Sequence, residues 1–352
     1  MEFAKIGFVG CGSHSTNNLY PMLRYSRCRL QAVCDLNEEL ARRNARIFGA
    51  NTVYTDAGKM LDTEKLDGVL VCGPPDLHYQ MGTKVLERGI PLFVEKPPAP
   101  DLKSAEELVR LAKEHRTFIM TGFMKRHGLV YMKARELITS GAFEPAAGLF
   151  KYSHWPNTNV RWMLLGMSIH IIDLAISFFG EVAEVTSVMH QSQRAISLAV
   201  TLRFASGKWA QLMLDSSQPR IQEHVEISGA MDGGNALVVM DNVHQMELHR
   251  QGMNGIDLVT WSDKGACTPE LHEIAPKCDL ADIQMWRPDY GIPNMGQNSA
   301  FLQGYAGEVR EFADAIVDRR EPWPGTDDTL KAMRVIEAII NKPDGTTKIQ
   351  AE

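Results

Sequence analysis

Four short apolar runs, "KIGFVG", "LQAVCD", "DGVLVCG" and "IPLFVE", lie in the first third of the chain, and what separates them restricts the fold most. Between and after them come stretches with apolar residues at helical spacing: "NEELARRNARIFG", "PDLHYQMGTKVLERG" and "DLKSAEELVRLAKEH". The last opens on Asp101, a good helix N-cap. Strands that are apolar on both faces and alternate with helices predict a parallel, doubly wound α/β sheet with right-handed crossovers.

The pattern changes after "TFIMTGF". A helix from His127 to Ser140 leads into the runs "EVTSVMHQ", "ISLAVTLRFASGKWAQLMLDSS", "HVEISGAMDGGNALVVM" and "HQMELHR". These read as strands with hairpin turns at "ASGK" and "MDGGN", interrupted only by an apolar helix at "SIHIIDLAISFFG". The prediction is an α+β region with a large, mostly antiparallel open sheet. Two amphipathic helices, "AGEVREFADAIVDRR" and "TDDTLKAMRVIEAII", close the chain, and the irregular segment from Gly252 to Gln297 reads as a long functional loop. A length of 352 residues exceeds what one core usually serves, and the boundary falls at the change of pattern: residues 1–123 and 124–352.

Composition excludes several classes. A net charge of −6 gives no pull toward nucleic acid or anionic membrane, and no apolar run approaches bilayer length. Six cysteines without C-x-x-C spacing read as free thiols in a reducing, cytoplasmic setting. The 11 histidines show no metal-ligand spacing, so no metal is expected.

The first strand ends in "GFVGCGSHS". Gly10 and Gly12 fill the first two positions of G-x-G-x-x-G, and Ser15 stands in the third. The first glycine permits the tight turn, and the second lets backbone N–H groups, here with Ser13 and His14, approach a pyrophosphate at a helix start. The second strand ends in Asp35, followed by Leu36, at the spacing where a carboxylate takes the ribose hydroxyls of NAD and repels the 2′-phosphate of NADP. Asp35 could equally cap the helix that begins near Asn37.

Further motifs complete a pattern. "VEKP" (Val94 to Pro97) ends the strand after "VCGPPDLH"; "TGFMKRH" lies at the junction, H-x-x-D at His170 and Asp173, and Y-x-x-E from Tyr305. Together these resemble the glucose-fructose oxidoreductase / inositol dehydrogenase / rhizopine-catabolism family over nearly the whole chain. The resemblance implies an NAD-binding Rossmann domain followed by a domain for substrate and oligomerisation. It implies that Glu95 holds the nicotinamide ribose and that Lys96 reaches ribose and substrate, often after a cis Lys-Pro bond. Gly73, Pro74 and Pro75 would line the cofactor channel, with His78 completing P-x-x-x-H and Arg126 at the cofactor's edge. His170 would be the proton acceptor. Asp173, on the same helical face three residues on, would bind substrate hydroxyls. Family members bury the open sheet in a dimer or tetramer.

Two positions depart from the family. Met124 stands where Asn is frequent, and Gly166 stands four residues before the histidine, where an aspartate is common. At Gly166 another carboxylate compensates, a larger substrate uses the space, or redox activity is lost. "HWPNTNVRW" offers Trp155, Asn157, Arg161 and Trp162, and "MWRPDYG" (Met285 to Gly291) has a similar make-up. Such mixtures stack on sugar rings and bond their hydroxyls, or simply pack an interface. The expected function is oxidation of a secondary hydroxyl of a sugar, glycoside or cyclic polyol. An NAD-dependent redox-cycle glycosidase and a catalytically silent NAD- or sugar-sensing protein are the alternatives.

Overall fold

The computed structural model describes residues 2–250, 256–257, 277–278, 282–288 and 299–349. The first sheet has six parallel strands in the order β3-β2-β1-β4-β5-β6. They are β1 (Ala4–Val9), β2 (Cys28–Cys34), β3 (Thr52–Tyr54), β4 (Gly68–Val71), β5 (Leu92–Glu95) and β6 (Ile119–Gly122). Every residue of β4, β5 and β6 is buried, as expected of central strands covered on both faces. The chain reverses its direction of winding at β1, so β1 and β4 flank the crevice where doubly wound sheets take ligands.

Of the helices α1 (Glu38–Phe48), α2 (Ala57–Thr63), α3 (Pro75–Leu86) and α4 (Leu102–Glu114), all but the short α2 form where the spacing predicts, and Asp101 caps α4 through the Ser104 N–H at 2.8 Å. The crossover after β1 differs. It is a π-helical turn over Ser15–Leu19 and a 3₁₀ turn over Tyr20–Tyr25. Pro21 has no N–H to continue an α ladder there.

At the junction a 3₁₀ turn (Met124–His127) precedes α5 (Leu129–Thr139). The second sheet has nine strands. Its centre is β7 (Glu144–Ser153), flanked on one side by β10 (Trp209–Asp215), β9 (Ile196–Phe204) and β8 (Val182–Gln191), and on the other by β11 (Gln222–Met231), β12 (Gly234–Asp241) and β13 (Gln245–Arg250). Strands Asp282–Trp286 and Gly345–Lys348 add to its two edges. All its pairings are antiparallel except β7 with β10.

Helices Ile169–Phe179 and Asp328–Asn341 cover one face of this sheet. The apolar stretch Val160–Phe179 has a mean hydropathy of 1.7 and is 78% buried inside the protein, as a core helix is. Helix Tyr305–Asp318 returns to the first sheet, where Phe312 meets Phe93 and Phe118 edge-on at 5.8 and 5.9 Å. A late helix of the chain thus packs against the first sheet.

Candidate active site

The turn after β1 is shaped by what it must approach. Gly10 has φ +101°, and a Cβ there would lie 2.0 Å from the Cys72 carbonyl oxygen. At Gly12 a Cβ would meet nothing within 4 Å, because it would point into a cavity of about 300 Å³. Ser15, the non-glycine third position, ties the turn together: its hydroxyl donates to the carbonyls of Gly10 (3.0 Å) and Gly12 (3.1 Å). Asp35 accepts the Cys11 N–H at 2.7 Å and the Asn37 N–H at 2.8 Å. The cap of α1 is Asn37 itself, which accepts from Glu39 and Leu40. Asp35 is therefore fixed beside the glycine turn, and Leu36 next to it is 91% exposed.

Ser13, His14, Cys72, Gly73, Glu95 and Lys96 form the rest of that cavity's wall. Asn18 donates to Nδ1 of His14 (3.1 Å), so Nε2 carries the proton and donates to Glu95 Oε1 at 3.3 Å. The other Glu95 oxygen accepts the Lys96 N–H at 3.0 Å. Burial alone would raise the Glu95 pKa, but His14 and Lys96 outweigh it and hold the carboxyl below its ordinary value. The Lys96–Pro97 bond is cis. Lys96 Nζ donates to the Gly166 carbonyl at 2.7 Å, and burial lowers its pKa.

His170, 6% exposed, sits two residues beyond the π-helical turn Met163–Ser168. Its Nδ1 is buried without a hydrogen-bond partner. Burial, followed by the charges of Lys96 and Lys125, pushes its pKa well below that of a free imidazole. A neutral imidazole thus lies close enough to Lys96 to feel its charge. Such a group can accept a proton.

Residues 4–123 match the family described as oxidoreductase family, NAD-binding Rossmann fold, and residues 162–350 match its C-terminal alpha/beta domain. The chain belongs to the Gfo/Idh/MocA oxidoreductases. It is 29% identical over 185 residues to an inositol 2-dehydrogenase of Rubrobacter xylanophilus, spanning 51% of this chain and 52% of that one. A crystal structure of a dehydrogenase from Chromobacterium violaceum superposes with TM-score 0.82 at 26% identity, covering 98% of this chain and 96% of that one. Levoglucosan dehydrogenase in complex with NADH and L-sorbose shares the fold (TM-score 0.80, 16% identity, full coverage of both chains at 100%). The cofactor of this Gfo/Idh/MocA chain is NAD. Its cradle fits the dinucleotide: open space at Gly12, a fixed carboxylate at Asp35, and polar groups toward β4 and β5 for the second nucleotide half.

Other residues expected at the site are held elsewhere. The i, i+3 spacing predicts that Asp173 shares a pocket with His170. Instead both Asp173 oxygens bond Arg126, at 2.7 and 2.8 Å, with both side chains buried. Arg126 does not line the cavity either; it also pairs with Asp328 at 3.2 Å and lies 5.4 Å over the Trp323 ring. An arginine fork buried beside two carboxylates is satisfied there and has no reason to reach solvent. His78 likewise turns away. Its Nε2 accepts the Gly73 N–H (2.9 Å) and its Nδ1–H donates to the Pro97 carbonyl (2.8 Å), so it fastens two cavity walls together.

Of the tryptophan segment, Arg161 and Trp162 line a second cavity of about 380 Å³, with Pro75 and Gly166, that shares Lys96 with the first. Arg161 reaches across it to the Pro100 carbonyl at 2.6 Å. Trp155 and Asn157 do not line it. Trp155 is exposed beside the buried His154, and Asn157 turns back on Asn159 at 2.7 Å. In "MWRPDYG", residues 289–291 lie outside the described residues, and Trp286 lies 5.6 Å from the Lys133 ammonium.

Buried ionisable residues without an assigned role include Lys125 and Glu308. Lys125 pairs with Glu223 and lies 5.7 Å from both the Tyr131 and Tyr152 rings. Glu308 lies under the Glu95–Lys96 tip. Its signal is legible, because Tyr305, Glu308, Val309 and Phe312 form one helical stripe, and an acid stands among its apolar members.

Proposed function

We propose that this chain oxidises a secondary hydroxyl of a sugar, glycoside or cyclic polyol, with His170 taking the hydroxyl proton. What supports the reading is Lys96 in the wall of the NAD cavity with its charge felt by the buried His170, burial pushing both side chains toward their neutral forms. NAD, when bound, supplies the hydride acceptor. His170 accepts the proton, and Lys96 relays it or polarises the forming carbonyl. Glu95 holds the nicotinamide ribose, while Pro74 and Pro75 border the channel. Arg161 and Trp162, which line the second cavity, contact the substrate ring. The names of relatives support this class: inositol 2-dehydrogenase, D-apiose dehydrogenase and levoglucosan dehydrogenase.

The test is NADH formation by purified protein with NAD and a panel of inositols, free sugars and glycosides, run beside Lys96→Ala and His170→Ala. Absorbance growth that both variants reduce by about 10²-fold or more supports the assignment. A flat panel in protein that binds NAD refutes it and favours a sensing role or a closed redox cycle.

The outer face of the nine-stranded sheet exposes Leu149 (40%), Trp209 (49%) and Met213 (43%) on adjacent strands. We propose that it joins copies of this chain into a dimer or tetramer. Trp209→Glu then lowers the mass measured by light scattering, and an unchanged mass rules this face out. The free thiols of Cys11, Cys28, Cys34 and Cys72 suit the cytoplasm, which imaging of a fluorescent fusion checks.

A further inference from the structure

Glu308 is fully buried, and neither of its carboxyl oxygens has a hydrogen-bond partner. No cation among the described residues bonds it, and the charge of nearby Lys96 only partly offsets its burial. Glu95 and Lys96 face it from the tip of β5, Cys72 from the end of β4, and Tyr305 from its own helix. Glu95 is itself a buried carboxylate, and the Lys96 ammonium is directed to the Gly166 carbonyl. His14 is engaged with Glu95 and edge-on to Tyr305. The 3₁₀ turn packed on this helix offers Lys125 and Arg126, paired with Glu223 and Asp173, and His127 beside Gly307. Tyr20 bonds Cys11, Lys5 of β1 faces solvent, and the segment Ser299–Leu302 carries no titratable side chain. A carboxylate in such a place is costly, whereas the neutral acid is tolerated. Burial first, and Glu95 second, raise its pKa well above the carboxylate range.

The nearest part of the cavity is the wall made by Cys72, Glu95 and Lys96. A dinucleotide with its pyrophosphate on the Gly10–Gly12 turn and its adenosine ribose at Asp35 must direct its other half there. The oxidised nicotinamide ring is a cation and the reduced ring is neutral. We propose that Glu308 stores a proton and gives it up to solvent when the oxidised cofactor binds, so that NAD⁺ binding, unlike NADH binding, releases a proton. The free protein with Glu308–COOH plus NAD⁺ gives the complex with Glu308–COO⁻ plus H⁺, and charge balances on both sides. This rests on the NAD-binding reading of the cavity. NAD⁺ affinity then rises with pH, by up to about tenfold per unit while Glu308 is protonated in the free protein only, and NADH affinity does not.

Calorimetric titration of the whole protein with NAD⁺ and with NADH, in buffers of different ionisation enthalpy at one pH, counts the protons. Wild-type protein should release up to one proton more with NAD⁺ than with NADH. Glu308→Gln should remove that difference. Persistence of the difference in Glu308→Gln overturns the proposal. If Glu308→Gln does not fold, infrared difference spectra of wild-type protein decide. A carboxylic-acid carbonyl band should disappear on NAD⁺ addition and remain with NADH, and an unchanged band overturns the proposal. Binding of both nucleotides with equal release overturns it alone, whereas binding of neither removes the cofactor site and the proposal with it.

Discussion

Replacing Gly12 by alanine should separate folding from cofactor binding, and Gly10→Ala should not. At Gly12 the added Cβ has no neighbour within 4 Å, so the free protein gains no clash. Its φ lies outside the left-handed range, so alanine adopts the backbone there and stability stays level or gains about 0.4–1 kcal/mol through the unfolded chain. The methyl group nevertheless stands in the 300 Å³ cavity where a pyrophosphate must approach the backbone. A loss of at least about 1.4 kcal/mol in NAD binding, a tenfold rise in Kd, is expected. At Gly10 the methyl would lie 2.0 Å from a backbone oxygen, and φ is +101°. The backbone conformation alone costs about 1–3 kcal/mol, and no side chain can move to relieve the contact between β1 and β4. Urea melts of both variants, followed by fluorescence titration with NAD, give the two readouts. A Gly12→Ala protein that is clearly destabilised yet binds NAD normally would refute the reasoning, as would a Gly10→Ala protein as stable as the parent.

Asp173→Ala leaves the Arg126 guanidinium buried with Asp328 alone and should lower stability by about 3–5 kcal/mol in urea melts. A raised KM with unchanged stability would return Asp173 to the substrate. Stability should also decline as pH falls below 6.5. Burial first, and Arg126 second, hold the His127 pKa down to about 3, so the unfolded chain binds this proton first. The slope it contributes between those values is up to about 1.4 kcal/mol per pH unit, absent above 6.5, and His127→Gln should flatten it in melts across that range. For the reaction, the depressed His170 pKa keeps the base neutral below 6.5, so the acid limb of kcat/KM should lie below that value; a limb at or above it would discount His170 as the base.

The first sheet was legible because burial on both faces leaves a strand no choice of residue: β4 and β5 are apolar throughout up to the Glu95 tip. The turn at Gly10 and Gly12 with Asp35 beside it was legible because that placement depends on backbone shape and local spacing. The two hairpin turns, at "ASGK" and "MDGGN", were legible for the same reason. What escaped was long-range choice of partner. Helical spacing puts Asp173 near the face of His170, but it cannot say that an arginine 47 positions earlier will take both its oxygens. His78 was likewise placed correctly along the chain, while its two backbone partners depend on how the β5 loop folds over α3. The π-helical turns at Ser15–Leu19 and Met163–Ser168 have no periodic signature to read.

Gly166 is where these strands of argument meet. A missing aspartate could mean a missing function, because a carboxylate there would orient Lys96 and raise its pKa. Lys96 nonetheless has an acceptor at that position, the Gly166 carbonyl itself, and Trp162 covers the vacated side at 3.5 Å from where a Cβ would sit. A carbonyl orients an ammonium without adding a negative charge. It therefore leaves burial free to lower the lysine's pKa, which an anion would oppose. The substitution thus preserves the aim of Lys96 while shifting its balance toward the neutral form, and it opens room beside Arg161 and Trp162. Loss of the carboxylate is, on this physics, a change in how the proton is handled and how large a ring is admitted. It is not by itself a sign that the chemistry has gone.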